Sequence, residues 1–173
     1  MKNRITVKRM VLDAIMLSLL CVIGMFSIPL GANIKVSLQL LLVFIICLIM
    51  PSVIDCLLIT SLYLLLGLFL LIYAGFSVGI TPTFGFVVSF VIISPIIYYI
   101  NKIPKIIPPV RMVLACFASL VVCYLVGSIF MMLFLNWDFQ STILVSVIPY
   151  LPFDIAKIVI ATLIVMILPK KVI

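Results

Sequence analysis

Asp154 and Lys157 stand three positions apart in LPFDIAKIV (residues 151–159), a stretch otherwise made of apolar residues. On a helix that spacing puts a carboxylate, which accepts hydrogen bonds, and an ammonium, which only donates them, on one face. Pro149 and Pro152 fit a helix start, because proline in the first turn forfeits no intrahelical hydrogen bond. Asp154 then lies in the first turn, where its charge meets the positive end of the helix dipole, and Lys157 lies one turn deeper. The surrounding chain is 68% hydrophobic and 9% charged, with a mean hydropathy of +1.59. Only lipid tolerates so much apolar surface, so this is an integral membrane protein. An unpaired charge in lipid costs about 2.5–3.5 kcal/mol on insertion scales, so such groups pair or face a polar cavity. One reading is an i,i+3 pair that satisfies itself, with Lys157 snorkelling outward. The other, preferred, is a pair that faces a ligand.

Two further polar segments interrupt the oil. IPLGANIKVSLQ (28–39) gathers Pro29, Gly31, Asn33, Lys35, Ser37 and Gln39. YAGFSVGITPTFGF (73–86) carries Gly75, Gly79 and Gly85, which let backbone approach a ligand, and the hydroxyls of Ser77, Thr81 and Thr83. Tyr73, Phe76, Phe84 and Phe86 are placed to flank an apolar ring. Taken singly, each of these residues fits ordinary loop chemistry. Together with 151–159 they point to three polar segments on one face, and broken backbone at membrane depth persists mainly where it lines a cavity. A small-molecule site open to the outside follows.

Other chemistries are excluded. The chain has no histidine, and its four acids are all aspartates. Histidine metal sites, Ser-His-Asp triads and paired glutamates are therefore absent. The five cysteines form no CxxC pair and sit in apolar runs, as small buried hydrophobes do. The net charge of +7 reads as topology information rather than as affinity for nucleic acid.

The elements that must position these residues are six spans, at about 10–28, 37–50, 53–72, 84–100, 111–135 and 152–168. They make one all-α membrane domain over residues 1–173. The start, MKNRITVKRM, reads as the approach to a retained first helix, since no small-residue cleavage site follows before Pro29. Lys2, Arg4, Lys8, Arg9, Lys102, Lys105, Arg111, Lys170 and Lys171 all fall on one side, against Lys35 on the other. That asymmetry places both termini in the cytoplasm. NKIPKIIPP (101–109) is a proline-stiffened cytoplasmic linker. Asp13 and Asp55, at the cytoplasmic ends of the first and third spans, are expected to pair with nearby Lys or Arg. Ala14, Ser18, Cys21 and Gly24 form a small-residue stripe, which serves internal packing or an external docking face.

These segments resemble the BioY family, the biotin-binding S-components of energy-coupling factor (ECF) transporters. IPLGANIKVSLQ resembles the family's proline-glycine turn followed by a hydroxyl residue, Leu and Gln. Residues 62–86 resemble its helix, Gly-rich loop and Pro-Thr-x-Gly element, and IPYLPFDIAK (148–157) its Leu-Pro-x-Asp-x-x-Lys. With the six-span length, the resemblance covers nearly the whole chain. It implies a multi-pass substrate-capture subunit in the cell membrane of a prokaryote, with biotin as ligand and neither cofactor nor bound metal. ATP would be hydrolysed by two partner ATPases, reached through a transmembrane coupling subunit, in agreement with the absence of a GxxxxGK[ST] loop. Ala14 and Ser18 match the family's docking stripe.

The resemblance implies that Asp154 accepts from the ureido N–H groups of biotin while Lys157 donates to the ureido oxygen or to Asp154. Gln39, Ser77, Thr81, Thr83, Phe84 and Gly85 are expected around the ligand. The family often places polar or basic residues around its Gly-rich loop, but 73–86 holds no Arg or Lys, which leaves Lys35 to cap the carboxylate. A close biotin precursor also fits. Two competing readings come from other classes: a self-sufficient carrier coupled to protons through Asp154, and an intramembrane enzyme acting on lipid. The second is disfavoured by the lack of His, Glu and any evident catalytic pair.

Overall fold

The computed structural model describes residues 7–29 and 35–168, the side chains of Pro29 and Lys35 excepted. Lys2, Arg4, Gly31, Asn33, Lys170 and Lys171 therefore lie outside the described residues, as does the side chain of Lys35. In lipid every backbone polar group must be satisfied within its own segment, and the apolar runs are accordingly helical. In order these are α1 (Val7–Gly24), α2 (Gln39–Ile49), α3 (Val53–Gly67), α4 (Phe84–Asn101), α5 (Pro108–Leu135), α6 (Phe139–Ser146) and α7 (Leu151–Ile167).

Among the described helices, α4 and α5 are each long and apolar enough to cross a membrane, and α6 with α7 form a third such stretch bent by 48°. Helix α1 has sufficient length but carries Lys8, Arg9 and Asp13. Helix α2, with 11 residues, is roughly 16 Å long at about 1.5 Å per residue, well short of a ~30 Å hydrocarbon core.

Three departures from the spans expected above shape the site. Helix α1 stops at Gly24, because Ser27–Pro29 (β1) pair antiparallel with Lys35–Ser37 (β2), in the register Ser27↔Ser37 and Ile28↔Val36. Helix α3 stops at Gly67 rather than near 72, because the chain folds back on it: Tyr73 Oη donates to Leu64 O at 2.6 Å. A Cβ on Gly67 would lie 2.0 Å from the Tyr73 ring, so only glycine admits this return. Finally, α6 is a separate helix in the stretch between the expected spans 111–135 and 152–168. Asn136, left-handed at φ 54°, ends α5, and Asp138 caps α6 by accepting from Ser141 N at 3.0 Å.

The core is apolar with polar ties between helices. Arg9 forks onto Asp55, with bonds of 2.7–2.9 Å joining α1 to α3. Asp13, expected to find a basic partner as well, has none among the described residues, and its Oδ1 is buried without a hydrogen bond. Ser94 on α4 donates to Thr60 on α3 at 3.2 Å and contacts Cys47 on α2 at 3.5 Å.

Candidate binding site

A cavity of about 330 Å³ lies among α2, α4, α5, α7, the β1–β2 hairpin and the loop that precedes α4. Small-molecule sites usually enclose about 300–1,000 Å³. Helix α7 begins at Leu151 with Pro152 in its first turn, and so brings Asp154 and Lys157 to the cavity wall. Lys157 Nζ donates to Asp154 Oδ1 at 2.6 Å, with side-chain exposures of 9% and 7%. Tyr124, on α5, donates its hydroxyl to the other carboxylate oxygen, Oδ2, also at 2.6 Å. The carboxylate is thus held at both oxygens, and each keeps acceptor capacity. Two of the three Lys157 hydrogens have no acceptor among the described residues.

A further part of the lining comes from the hairpin. Ser27 and Ser37, which face each other across the ribbon, both line the cavity, followed by Gln39 at the start of α2. From the loop come Tyr73, Ala74, Thr81 and Thr83. This loop turns through Gly75 at φ 73°, whose N–H reaches Met25 O at 2.9 Å and ties it to the chain leaving α1. Phe86, Val87 and Phe90 on α4 and Leu40 on α2 supply the apolar surface. The site therefore pairs a polar, charge-neutral end on α7 with an aromatic wall on α4.

Of the residues singled out in the sequence, the cavity unites Asp154, Lys157, Ser37, Gln39, Tyr73, Thr81, Thr83 and Phe86. Ser77, Phe84 and Gly85 do not line it. Ser77 Oγ turns back to Ala74 O at 3.2 Å. Phe84 packs between Tyr73 and Phe130, with ring centroids 6.2 and 5.8 Å away. Gly85 lies against Phe130, whose Cβ would be 2.2 Å from a Cβ added at Gly85. Ala14 and Ser18 are exposed on α1 and do not line the cavity, whereas Gly24 of the same stripe is buried. Tyr124, Phe90, Cys123, Ser146 and Tyr150 border the site without having been expected there. Only Tyr124 carried a legible signal, since a phenol inside an apolar span needs a hydrogen-bond partner. Among the described residues no group of metal-ligating side chains gathers.

Comparison with known proteins gives two findings. The model of the BioY family matches residues 1–172. The fold is similar to a crystal structure, at 2.1 Å, of the S-component for biotin from an ECF-type ABC transporter, with a TM-score of 0.82. The match covers 95% of this chain and 92% of that one at 19% sequence identity. No curated protein sequence matches the chain.

Proposed function

The chain belongs to the BioY family, and on that premise we propose that it captures biotin as the S-component of an ECF-type importer. The observation that carries this reading is the buried Asp154–Lys157 pair, braced by Tyr124, in a cavity whose remaining wall combines aromatic and aliphatic side chains with uncharged polar groups. Biotin has matching parts. Its ureido group offers two N–H donors and one carbonyl acceptor, its fused ring is apolar, and its tail ends in a carboxylate. Asp154 accepts from a ureido N–H, and the unused hydrogens of Lys157 go to the ureido oxygen. The bicycle lies along Phe86, Val87 and Phe90, and Thr81 and Thr83 stand beside it. Because Asp154 and Lys157 cancel, the carboxylate needs another cation, a role assigned to Lys35 on the hairpin.

In this reading the chain is one membrane domain of six spans, α6 and α7 sharing the sixth, with both termini cytoplasmic in a prokaryotic cell membrane. It has no ATPase and no cofactor. A transmembrane coupling subunit docks on the Ala14–Ser18 face of α1 and links the chain to two ATPases. A proton-coupled carrier is less well supported, because Asp154 is engaged at both oxygens and neutralised by Lys157.

Calorimetric titration of the purified, ligand-free chain in detergent tests the ligand. Binding at or below micromolar biotin is expected, and Trp137, beside the cap of α6, offers a fluorescence signal. Absence of binding at micromolar biotin refutes the assignment.

A further inference from the structure

Gln39 and Tyr63 form a hydrogen-bonded chain whose direction is set by its last member. Tyr63, on α3, is fully buried, and its hydroxyl lies 3.0 Å from Ile72 O and 2.5 Å from Gln39 Nε2. A backbone carbonyl can only accept, so the single phenolic proton is spent on Ile72. The Tyr63 oxygen is left as an acceptor, and Gln39 must meet it with its NH₂ rather than its carbonyl. The two ends of a carboxamide have nearly the same shape, so it is this hydrogen bond that decides which end faces where. The reverse arrangement, with Tyr63 donating to Gln39, would strand the buried Ile72 carbonyl. Gly24 makes the close approach possible, since a Cβ there would lie 2.7 Å from Tyr63 Oη.

The other end of the amide is then defined. Gln39 Oε1 has no partner among the described residues, yet it is not one of the sealed, unpaired side-chain atoms among them, which are Asp13 Oδ1 and Ser119 Oγ. Gln39 is only 6% exposed and borders the cavity, so the space Oε1 reaches is the cavity itself. We infer that Tyr63 is a positioning residue: it holds the Gln39 amide with its carbonyl toward the ligand, so that the α2 wall demands an N–H donor. The inference rests on the biotin reading. It adds that a ureido nitrogen is selected on the α2 side by a neutral acceptor, independently of the charged pair on α7.

In Tyr63→Phe the amide faces a ring that neither accepts nor donates. Its orientation is no longer set in advance, and the ligand chooses it. The test titrates biotin and the two cyclic carbamates in which one or the other ureido N–H is replaced by oxygen. The wild-type chain is expected to bind biotin and to reject each carbamate by about a hundredfold, one because its ring oxygen faces Asp154 and the other because it faces Gln39, since two acceptors then oppose each other. In Tyr63→Phe biotin should weaken about tenfold while the carbamate relieved of the clash with Gln39 binds no worse or better, so that the preference against it shrinks by about tenfold or more and the other carbamate stays rejected. A purely structural role for Tyr63 would weaken all three ligands by the same factor, and that result overturns the inference while leaving the biotin reading intact. A wild-type chain that does not bind biotin overturns both. Gln39→Leu keeps the Tyr63–Ile72 bond and serves if Tyr63→Phe does not fold. It should likewise weaken biotin selectively, and equal losses for all ligands would again overturn the inference.

Discussion

Two glycines on facing helices make equally close contacts, but only one of the contacts borders the cavity, and this yields a sharp prediction. A Cβ added at Gly127, on α5, would lie 2.3 Å from Phe86 Cδ1, 2.4 Å from Cε1 and 2.6 Å from Cγ. Ordinary carbon–carbon contact is about 3.5–4.0 Å, so the Phe86 ring must retreat by roughly 1.2 Å or more. All three atoms belong to the ring, which can swing about its side-chain torsions, and the open space beside it is the cavity that Phe86 lines. Gly127→Ala should therefore leave the bundle folded: overpacking costs about 1–3 kcal/mol, offset by about 1 kcal/mol from better helix propensity. Biotin, however, has to push the ring back. A penalty of about 1–3 kcal/mol corresponds to roughly 5- to 150-fold weaker binding.

Gly85→Ala, on α4, should behave differently. Its nearest neighbour is Phe130 Cβ at 2.2 Å, an atom fixed to the backbone, so relief requires α4 and α5 to part. Phe130 does not line the cavity. The expected result is a lower unfolding temperature in detergent, with near-normal affinity in the protein that remains folded. Biotin titration and thermal unfolding of both variants, with Gly127→Ala/Phe86→Leu as a rescue, check the reasoning. A folded Gly127→Ala chain that binds biotin within twofold of wild type would refute it.

Three further outcomes are expected. Lys157→Met leaves Asp154 buried without its counter-charge and should destabilise the chain by about 3 kcal/mol or more; adding Asp154→Asn should restore much of the stability without restoring biotin binding. A double variant no more stable than the single one would show that the two groups are not energetically coupled. At the cap of α6, the Ser141 backbone N–H holds the Asp138 carboxyl below its usual range. Because the folded pKa is depressed, this stabilisation is complete above the unfolded value of about 4 and is lost as pH falls through the folded value. Trp137 fluorescence should accordingly stay constant down to about pH 4, change below it, and lose that acid step in Asp138→Asn; a step above pH 5 would rule out this origin. Ala14→Phe and Ser18→Phe, on the exposed face of α1, should leave biotin affinity unchanged and reduce co-purification with the coupling subunit. Normal assembly in both variants would reject that docking face.

How much of the molecule is legible in advance follows from where polar atoms stand out. The long helices are readable because apolar runs in lipid have little choice but to be helical. Asp154 and Lys157 are readable because charges are conspicuous in such runs. The aromatic wall is readable only in part: Phe86 stands out beside the Gly-rich segment, but α4 is hydrophobic on every face, so no periodicity separates Phe90, which also lines the cavity, from its neighbours. Helix α6 is hidden by its length of 8 residues, too short for hydropathy, though an aspartate three residues before Ser141 has the form of a cap. Gly85 misleads for a related reason, since glycine serves a close-approaching ligand and a close-approaching helix alike, and Phe130, 45 positions away, decides between them.

What hydropathy cannot find, hydrogen-bond accounting can. Tyr63, Tyr124 and Gln39 each place a polar group in an apolar segment where leaving it unpaired is costly. Following those groups to their partners leads from α3 to the Ile72 carbonyl, from α5 to Asp154, and from α2 into the cavity. The two tyrosines differ in consequence. Tyr124 spends its proton on Asp154, a charged group on the cavity wall, and uses part of its acceptor capacity, whereas Tyr63 spends its proton on the backbone and leaves its oxygen to the Gln39 amide. In the proposed reading the ligand meets one charged pair whose remaining capacity is shared and one neutral amide whose orientation is settled before the ligand arrives.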